Sequence, residues 1–371
     1  MIQARSRRPL SCSLRSSSQN PIATTFLTGG KMDRIVRQIL VKLLGGERSV
    51  YELIYYQDAS LREFFELLNS LRDEGLIEVE SGKVRITEKG REVAEKERLK
   101  FCGDVECECC EGTGLSINPY FKEILQKYSE IAKDRPETIE VYDQGFISLE
   151  GVIRRVEFVY DRGDLNGRIF VVGDDDLFGI AASLTGMPEK VAVVDIDERL
   201  INFINRVAEE YSLNVEAFVY DVQQAFPDEL KRKFDVFVTD PVETIPGLKL
   251  FLSRGVSTLK GVGGAGYFGI TTLEASRRKW YEIQRMIHDM GFIITDLRRR
   301  FNVYPEDEKN FFRFQEKLPI VRHLQAKVDF NWYNSTLFRI EAVKEPKPIV
   351  EGEMIIDEKV YKDDESWATP Y

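Results

Sequence analysis

Between residues 168 and 239 the chain alternates short apolar runs with amphipathic stretches, and every apolar run ends in acid. Residues 168–172 (RIFVV), 191–196 (VAVVDI), 215–220 (VEAFVY) and 236–239 (VFVT) have the length and β-branched content of buried strands, whereas 177–184 and 200–211 carry apolar residues at helical spacing. This βαβαβ order predicts an α/β, doubly wound parallel sheet, because parallel neighbours need a crossover that a helix supplies. In such sheets ligands lie beyond the carboxyl ends of the strands. The residues found there are Gly173-Asp174-Asp175-Asp176, then Asp195 and Asp197, then Asp221, then Asp240-Pro241-Val242-Glu243. Four strand ends are therefore expected to converge on one acidic cleft.

An acid closing the second strand of a Rossmann-type sheet accepts hydrogen bonds from ribose hydroxyls, so Asp195 points to a ligand that carries a nucleoside. The loop after the first strand, however, has three aspartates in place of a glycine-rich turn, and their charge opposes a pyrophosphate. NAD and ATP fit poorly. A ligand with adenosine at one end and positive charge at the other meets both conditions, which means a sulfonium nucleoside. The same aspartates repel the carboxylate of S-adenosylmethionine and so select its decarboxylated form. Gly173, Asp174, Asp195 and Asp221 are the expected contacts for this co-substrate, Asp221 through the adenine amino group. Helix capping, worth about 0.3–1 kcal/mol per carboxylate, is the bland account of Asp174–Asp176, but three in a row exceed what a cap needs. The whole chain agrees in sign: 52 Lys and Arg against 62 Asp and Glu leave a net charge of −10, which disfavours phosphate backbones and favours cationic small molecules.

At 371 residues the chain exceeds what one core usually organises. Residues 1–31 are basic, Ser-rich and free of acids, and are expected to be an unpacked extension. Residues 32–100 read as a small winged-helix α+β domain, with helices at 33–44, 50–56 and 60–75, a hairpin at 76–86 and a charged helix from Thr87. Its third helix sets Glu63, Glu66, Asp73 and Glu74 against Arg62 and Arg72, so a dimerisation or capping role is favoured over DNA reading. Residues 101–165 are expected to form a Cys-rich connector and a β-hairpin lip, the alternation at 140–159 being read as short strands. There Cys107, Cys110, Gly112 and Gly114 match one CxxCxGxG unit. Zinc would require Cys102 and Cys109 as well, and a reduced Cys-rich turn in a cytosolic protein is the favoured reading. Residues 166–343 hold the sheet, and 344–371 an acidic tail or lid. No apolar run reaches the roughly 18 residues of a membrane span. His288 and His323 lie away from the strand ends and are expected to be structural.

GDDD at 173–176, VVDID at 193–197 and DPVETIPGLKLFLSRG at 240–255, together with the winged-helix start, resemble the branched-chain polyamine synthases. The resemblance runs from about residue 33 to the C-terminus. Val242 stands where that family has a second proline, with both flanking carboxylates kept. It implies a Rossmann-like, methyltransferase-like catalytic sheet and an aminopropyltransferase. Two successive transfers from decarboxylated S-adenosylmethionine to the secondary amine of spermidine would give N(4)-aminopropylspermidine and N(4)-bis(aminopropyl)spermidine, releasing methylthioadenosine.

The attacking nitrogen needs a free lone pair, so deprotonation and alignment are the tasks. Asp175 or Asp176 is the candidate proton acceptor or anchor at the reacting amine, and Asp240 and Glu243 would hold the flanking ammonium groups. The second transfer gives a quaternary ammonium and needs no base, so carboxylates there stabilise charge; Tyr160 and Trp332 are candidates to face that cation. The expected partner is a small polyamine, with no nucleic acid, no membrane, no metal or other cofactor, and a homodimer as the assembly. Two rivals keep the fold. One is an S-adenosylmethionine-dependent amino methyltransferase on nucleic acid, since DPxE resembles an Asp-Pro-Pro-Tyr loop; the net charge and GDDD stand against it. The other is a winged-helix regulator that senses a nucleoside, which salt-dependent DNA retention would reveal.

Overall fold

The structure, a computed structural model, describes residues 27–28, 31–107, 110–305, 327–355 and 363–365. Strands β1 (Leu27–Thr28) and β2 (Lys31–Met32) pair ahead of α1 (Arg34–Leu44), which Asp33 caps by accepting from the Ile35 N–H. After β3 (Arg48–Ser49), Ser49 and Glu52 form a reciprocal capping box for α2 (Val50–Tyr56), and Ser60 caps α3 (Leu61–Asp73). Strands β4 (Ile77–Glu80) and β5 (Lys83–Ile86) follow, then α4 (Glu88–Lys96), and β3-β5-β4 form the wing. This winged-helix layout agrees with the sequence reading.

Beyond α5 (Pro119–Ala132) and a 3-10 turn at Glu140–Tyr142 the hairpin lip expected over 140–159 is absent. That stretch holds α6 (Leu149–Asp161), capped by Ser148. Nine consecutive residues, Gly151 to Val159, are buried, and Leu149, Val152, Ile153, Val156 and Val159 recur at helical spacing; reading 140–159 as one alternating stretch runs across the helix start at Ser148. The expected strands are corrected accordingly.

The sheet is built from β6 (Arg168–Val172), α7 (Phe178–Leu184), β7 (Lys190–Asp195), α8 (Glu198–Tyr211), β8 (Val215–Val219), β9 (Val236–Thr239), α9 (Ile245–Thr258), β10 (Ala265–Ile270), α10 (Arg277–Asp289), β11 (Phe292–Val303) and β12 (Asn334–Ala342). Its order is β11-β12-β10-β9-β6-β7-β8, parallel except that β12 runs against both neighbours. Chain direction across the sheet reverses between β6 and β9, which opens a crevice at their carboxyl ends. Alternate strand residues feed two cores: Ile169, Val171, Val191 and Val193 face α5–α8, while Phe170, Val172, Ala192 and Val194 face α9 and α10.

The first of these cores continues without a break into the winged helix. The N-terminus of α3, which a DNA-reading winged helix would present to a groove, is turned inward here: Leu61 N–H donates to Leu273 O at 2.8 Å. Tyr51 packs on Trp332 with ring centroids 5.7 Å apart, and Lys83 pairs with Asp329 at 2.8 Å. His288 ends α10 with Nδ1 at 3.1 Å from Phe292 O, and His323 lies outside the described residues. Among the described residues no helix is long and apolar enough to cross a membrane.

The chain after β12 is tied to α9 above all by Arg254. Arg254, fully buried on α9, donates to four main-chain carbonyls: Val222 (2.8 Å), Val350 (3.1 Å), Glu351 (3.3 Å) and Gly352 (2.8 Å). Met354 N–H adds a bond to Gln223 O at 2.9 Å. A buried carbonyl stripped of its donor costs about 1–3 kcal/mol. Arg254→Met is therefore expected to destabilise the fold by about 3 kcal/mol or more, measured as a lowered denaturant midpoint; an unchanged midpoint would show the clasp to be ornamental.

Candidate active site

A cleft of about 1080 Å³, open mouth included, occupies the crevice between β6 and β9. Its walls are the strand ends read from the sequence plus a loop that precedes α6. Gly173 turns the chain out of β6 with φ of +72°, a left-handed conformation that glycine adopts without strain, and the three aspartates after it separate into three environments.

Asp174 Oδ2 accepts from Gly179 N–H at 2.9 Å, capping α7, whose own N-cap residue Leu177 makes no side-chain bond. Asp176 accepts from Ile147 N–H at 2.7 Å and from Arg155 Nη1 at 3.0 Å, one partner on each oxygen. Both side chains are buried and neither lines the cleft. Of the triplet only Asp175 faces the cavity, held by a single 2.7 Å bond from Gly145 N–H. Two of the sequence-based candidates, Asp174 and Asp176, therefore do not line the cleft, because helix capping and a buried ion pair claim them.

One half of the cleft is framed by Gly173, Val194, Asp195, Ile196, Asp221 and Phe251. Asp195 accepts from Asp174 N–H (3.1 Å) and Asp197 N–H (2.8 Å), so two backbone donors fix its orientation. Burial raises its pKa, with those backbone bonds pulling the other way. Asp221 steadies its own turn through Gln223 N–H at 2.9 Å.

The other half is acidic and aromatic, lined by Asp143, Asp175, Asp240, Glu243 and Glu274 with Tyr304 and Tyr333. Tyr304 Oη donates to Asp240 Oδ2 at 3.0 Å and Tyr333 Oη to Glu274 Oε1 at 2.6 Å, the two rings meeting edge-on at 5.2 Å. Glu243 accepts from Thr271 N–H at 2.6 Å. Gly269 lies under Asp240, where a Cβ would collide with Oδ1. Burial, then neighbouring carboxylates, raises Asp175 and Glu243 well above the ordinary carboxylate range; Asp176, Asp240 and Asp195 act on the former and Glu274, Asp240 and Asp143 on the latter. Asp176 is raised to about 6 by burial, with Arg155 pulling it down and Asp240 pushing it up. Burial and the same acids hold both tyrosines protonated, as donors.

Among the described residues, seven carboxyl side chains thus line one cleft, and no lysine or arginine does. Such a wall is costly when empty and is relieved by a multiply charged cation. Sequence reasoning found five of the seven; it missed Asp143, Glu274 and both tyrosines. Glu274, just after β10, obeys the same strand-end rule and was open to discovery. Tyr160 packs on Phe121 at 5.5 Å and Trp332 is sealed against Tyr51, so neither faces the cavity, contrary to expectation. Cys102 and Cys107 are exposed, Cys110 is buried and Cys109 lies outside the described residues. Among the described residues no group of three or more His, Cys, Asp or Glu could hold a metal ion.

The profile of the branched-chain polyamine synthase A C-terminal domain matches residues 123–368, and a winged helix-turn-helix profile matches residues 31–100. The chain is 37% identical over 344 residues to the N(4)-bis(aminopropyl)spermidine synthase of Thermococcus kodakarensis, covering 91% of this chain and 95% of that one. Its identity to the Methanocaldococcus jannaschii enzyme of the same name is 38% over the same coverage. The crystal structure of the Thermus thermophilus branched-chain polyamine synthase, in complex with N4-aminopropylspermidine and 5'-methylthioadenosine, superposes with a TM-score of 0.79. It shares 32% identity and covers 91% of this chain and 94% of its own.

Proposed function

The chain belongs to the branched-chain polyamine synthase family, and from that premise we propose that it transfers aminopropyl groups from decarboxylated S-adenosylmethionine to the secondary amine of spermidine. The products are N(4)-aminopropylspermidine, then N(4)-bis(aminopropyl)spermidine, with methylthioadenosine released at each step. The observation that carries this reading is the cleft with seven carboxyl groups and no basic side chain among the described residues. Its two halves suit the two ligands named for the Thermus complex. The Asp195 and Asp221 half takes the nucleoside; the Asp240, Glu243 and Glu274 half takes the ammonium arms.

In the first transfer the amine nitrogen attacks the methylene carbon beside the sulfonium. The N–C bond forms as the C–S bond breaks, its electron pair leaves with neutral methylthioadenosine, and the amine proton passes to Asp175. Asp175 suits that task because it is the one member of its triplet that faces the cleft, and its bond is to a backbone N–H rather than to a side-chain cation. Asp240 and Glu243 fix the flanking ammonium groups, with Tyr304 and Tyr333 orienting Asp240 and Glu274 from behind. In the second transfer the free tertiary amine has no N–H to lose on attack, and the carboxylates act by stabilising the new quaternary charge.

The test is incubation of the purified chain with decarboxylated donor and spermidine, following methylthioadenosine and branched products by mass spectrometry; linear products alone would overturn the reading. A pH profile adds a signature. Burial and neighbouring acids hold the Asp175 proton to a higher pH than usual, and a protonated carboxyl cannot accept another. kcat/KM for spermidine should therefore fall on acidification through a limb well above the ordinary carboxylate range, and a limb within that range would remove Asp175 from the role.

The inward-turned α3 and the acidic cleft support a reading without nucleic acid. A cytosolic homodimer belongs to the same proposal, with sedimentation at twice the monomer mass as its check.

A further inference from the structure

Behind the acidic wall lies a cation that nothing in the residue order singles out. Arg155, midway along α6, is sealed from solvent and reaches two strand ends at once. Its Nη1 donates to Asp176 Oδ2 at 3.0 Å and its Nη2 to Asp240 Oδ2 at 3.3 Å. Asp176 follows β6 and Asp240 follows β9, so one guanidinium spans the two lips of the crevice. Tyr304 Oη donates to the same Asp240 oxygen at 3.0 Å, and Asp240 Oδ1 rests over Gly269.

A buried positive charge beside a site for polycations needs a reason. Asp175, Asp240 and Glu243 crowd one wall with Asp176 behind it, and carboxyls so placed share protons unless a permanent cation intervenes. Arginine cannot give up its proton, and its planar fork can meet two carboxylates in fixed directions where lysine offers a point charge. We propose that Arg155 is a positioning residue for the transfer: by bridging Asp176 and Asp240 it locks the Asp240 carboxylate in place against the acceptor amine. This inference rests on the aminopropyl-transfer reading.

The groups facing this bridge are Asp174, Asp175 and Asp176 from the loop after β6, Asp240 and Glu243 from the loop after β9, Tyr304 after β11, and Arg135 and Tyr128 from the α5 side. Removing Arg155 leaves the acids to share protons, so the acid limb for acceptor use must move to higher pH. Arg155→Met is expected to raise the spermidine KM at least tenfold and to shift that limb up by about one pH unit or more. Methylthioadenosine affinity should stay within about threefold, since Asp195 and Asp221 are untouched. Arg155→Lys should recover part of the loss.

The decisive comparison adds Asp176→Asn, alone and combined with Arg155→Met. The double variant removes the unpaired buried charge and keeps the fold testable, with methylthioadenosine binding as the check of a native cleft. If Arg155 acts on Asp240, the double variant stays as impaired for spermidine as Arg155→Met. If it returns to the level of Asp176→Asn, Arg155 merely neutralises Asp176 and the proposal is overturned. Should the unmodified protein bind spermidine but transfer nothing, the aminopropyl reading fails by itself, and the spermidine Kd of the same four variants decides the Arg155 question.

Discussion

Asp175→Asn is expected to lower single-turnover methylthioadenosine release with spermidine by about 10²–10⁴-fold, the usual worth of a positioned general base. The asparagine keeps the side chain's shape and removes its ability to take the amine proton. Donor binding should change little, because Asp195 and Asp221 hold the far half of the cleft. Asp176→Asn makes the instructive contrast. Both Asp176 oxygens are occupied, by Ile147 N–H and Arg155, so its loss should act on stability and acceptor KM more than on the chemical step. If the two variants lost the chemical step equally, the division of labour within the triplet would be wrong. A second check uses N(4)-aminopropylspermidine as acceptor. Its reacting nitrogen is tertiary and, once its lone pair is free, has no N–H to lose on attack, so Asp175→Asn should be less harmful there than with spermidine.

Replacing the donor with intact S-adenosylmethionine is expected to cost roughly 10²–10³-fold in affinity. Its additional carboxylate would enter beside Asp143, Asp175, Asp240 and Glu243 with no basic side chain on the described lining to receive it. Like charges brought together in a desolvated site cost several kcal/mol, and about 3–4 kcal/mol corresponds to that factor. The measurement is a pair of dissociation constants by calorimetry at fixed salt. Values within a few-fold of one another would show that the acids do not select the donor.

Much of this site could be read from residue order, because a parallel sheet delivers the residues after each strand to one edge. Asp195, Asp221, Asp240 and Glu243 were accessible for that reason. What order could not reveal was the fate of neighbours in one loop. Asp174, Asp175 and Asp176 look alike in sequence, and their separation depends on Gly179, Gly145 and Arg155, partners up to 30 residues away. Tyr304 and Tyr333 flank the antiparallel pair β11 and β12, where the strand-end rule does not apply. Helix α6 was open to discovery, since Leu149, Val152, Ile153, Val156 and Val159 keep helical spacing behind the Ser148 cap; its complete burial, which isolates Arg155 from solvent, was not. The winged helix was legible from the helical spacing of Ile35, Val36, Ile39, Leu40 and Leu43 and from the Ser60 cap, since both signals are local.

The bond from Leu61 to Leu273 joins the winged helix to the residue preceding Glu274, itself a wall of the cleft. Amputating residues 32–100 would therefore strip support from the acceptor side and bare a broad greasy face, leaving no minimal catalytic fragment to isolate. A module built like a gene reader has become a keystone, and heat should melt both halves in one cooperative step.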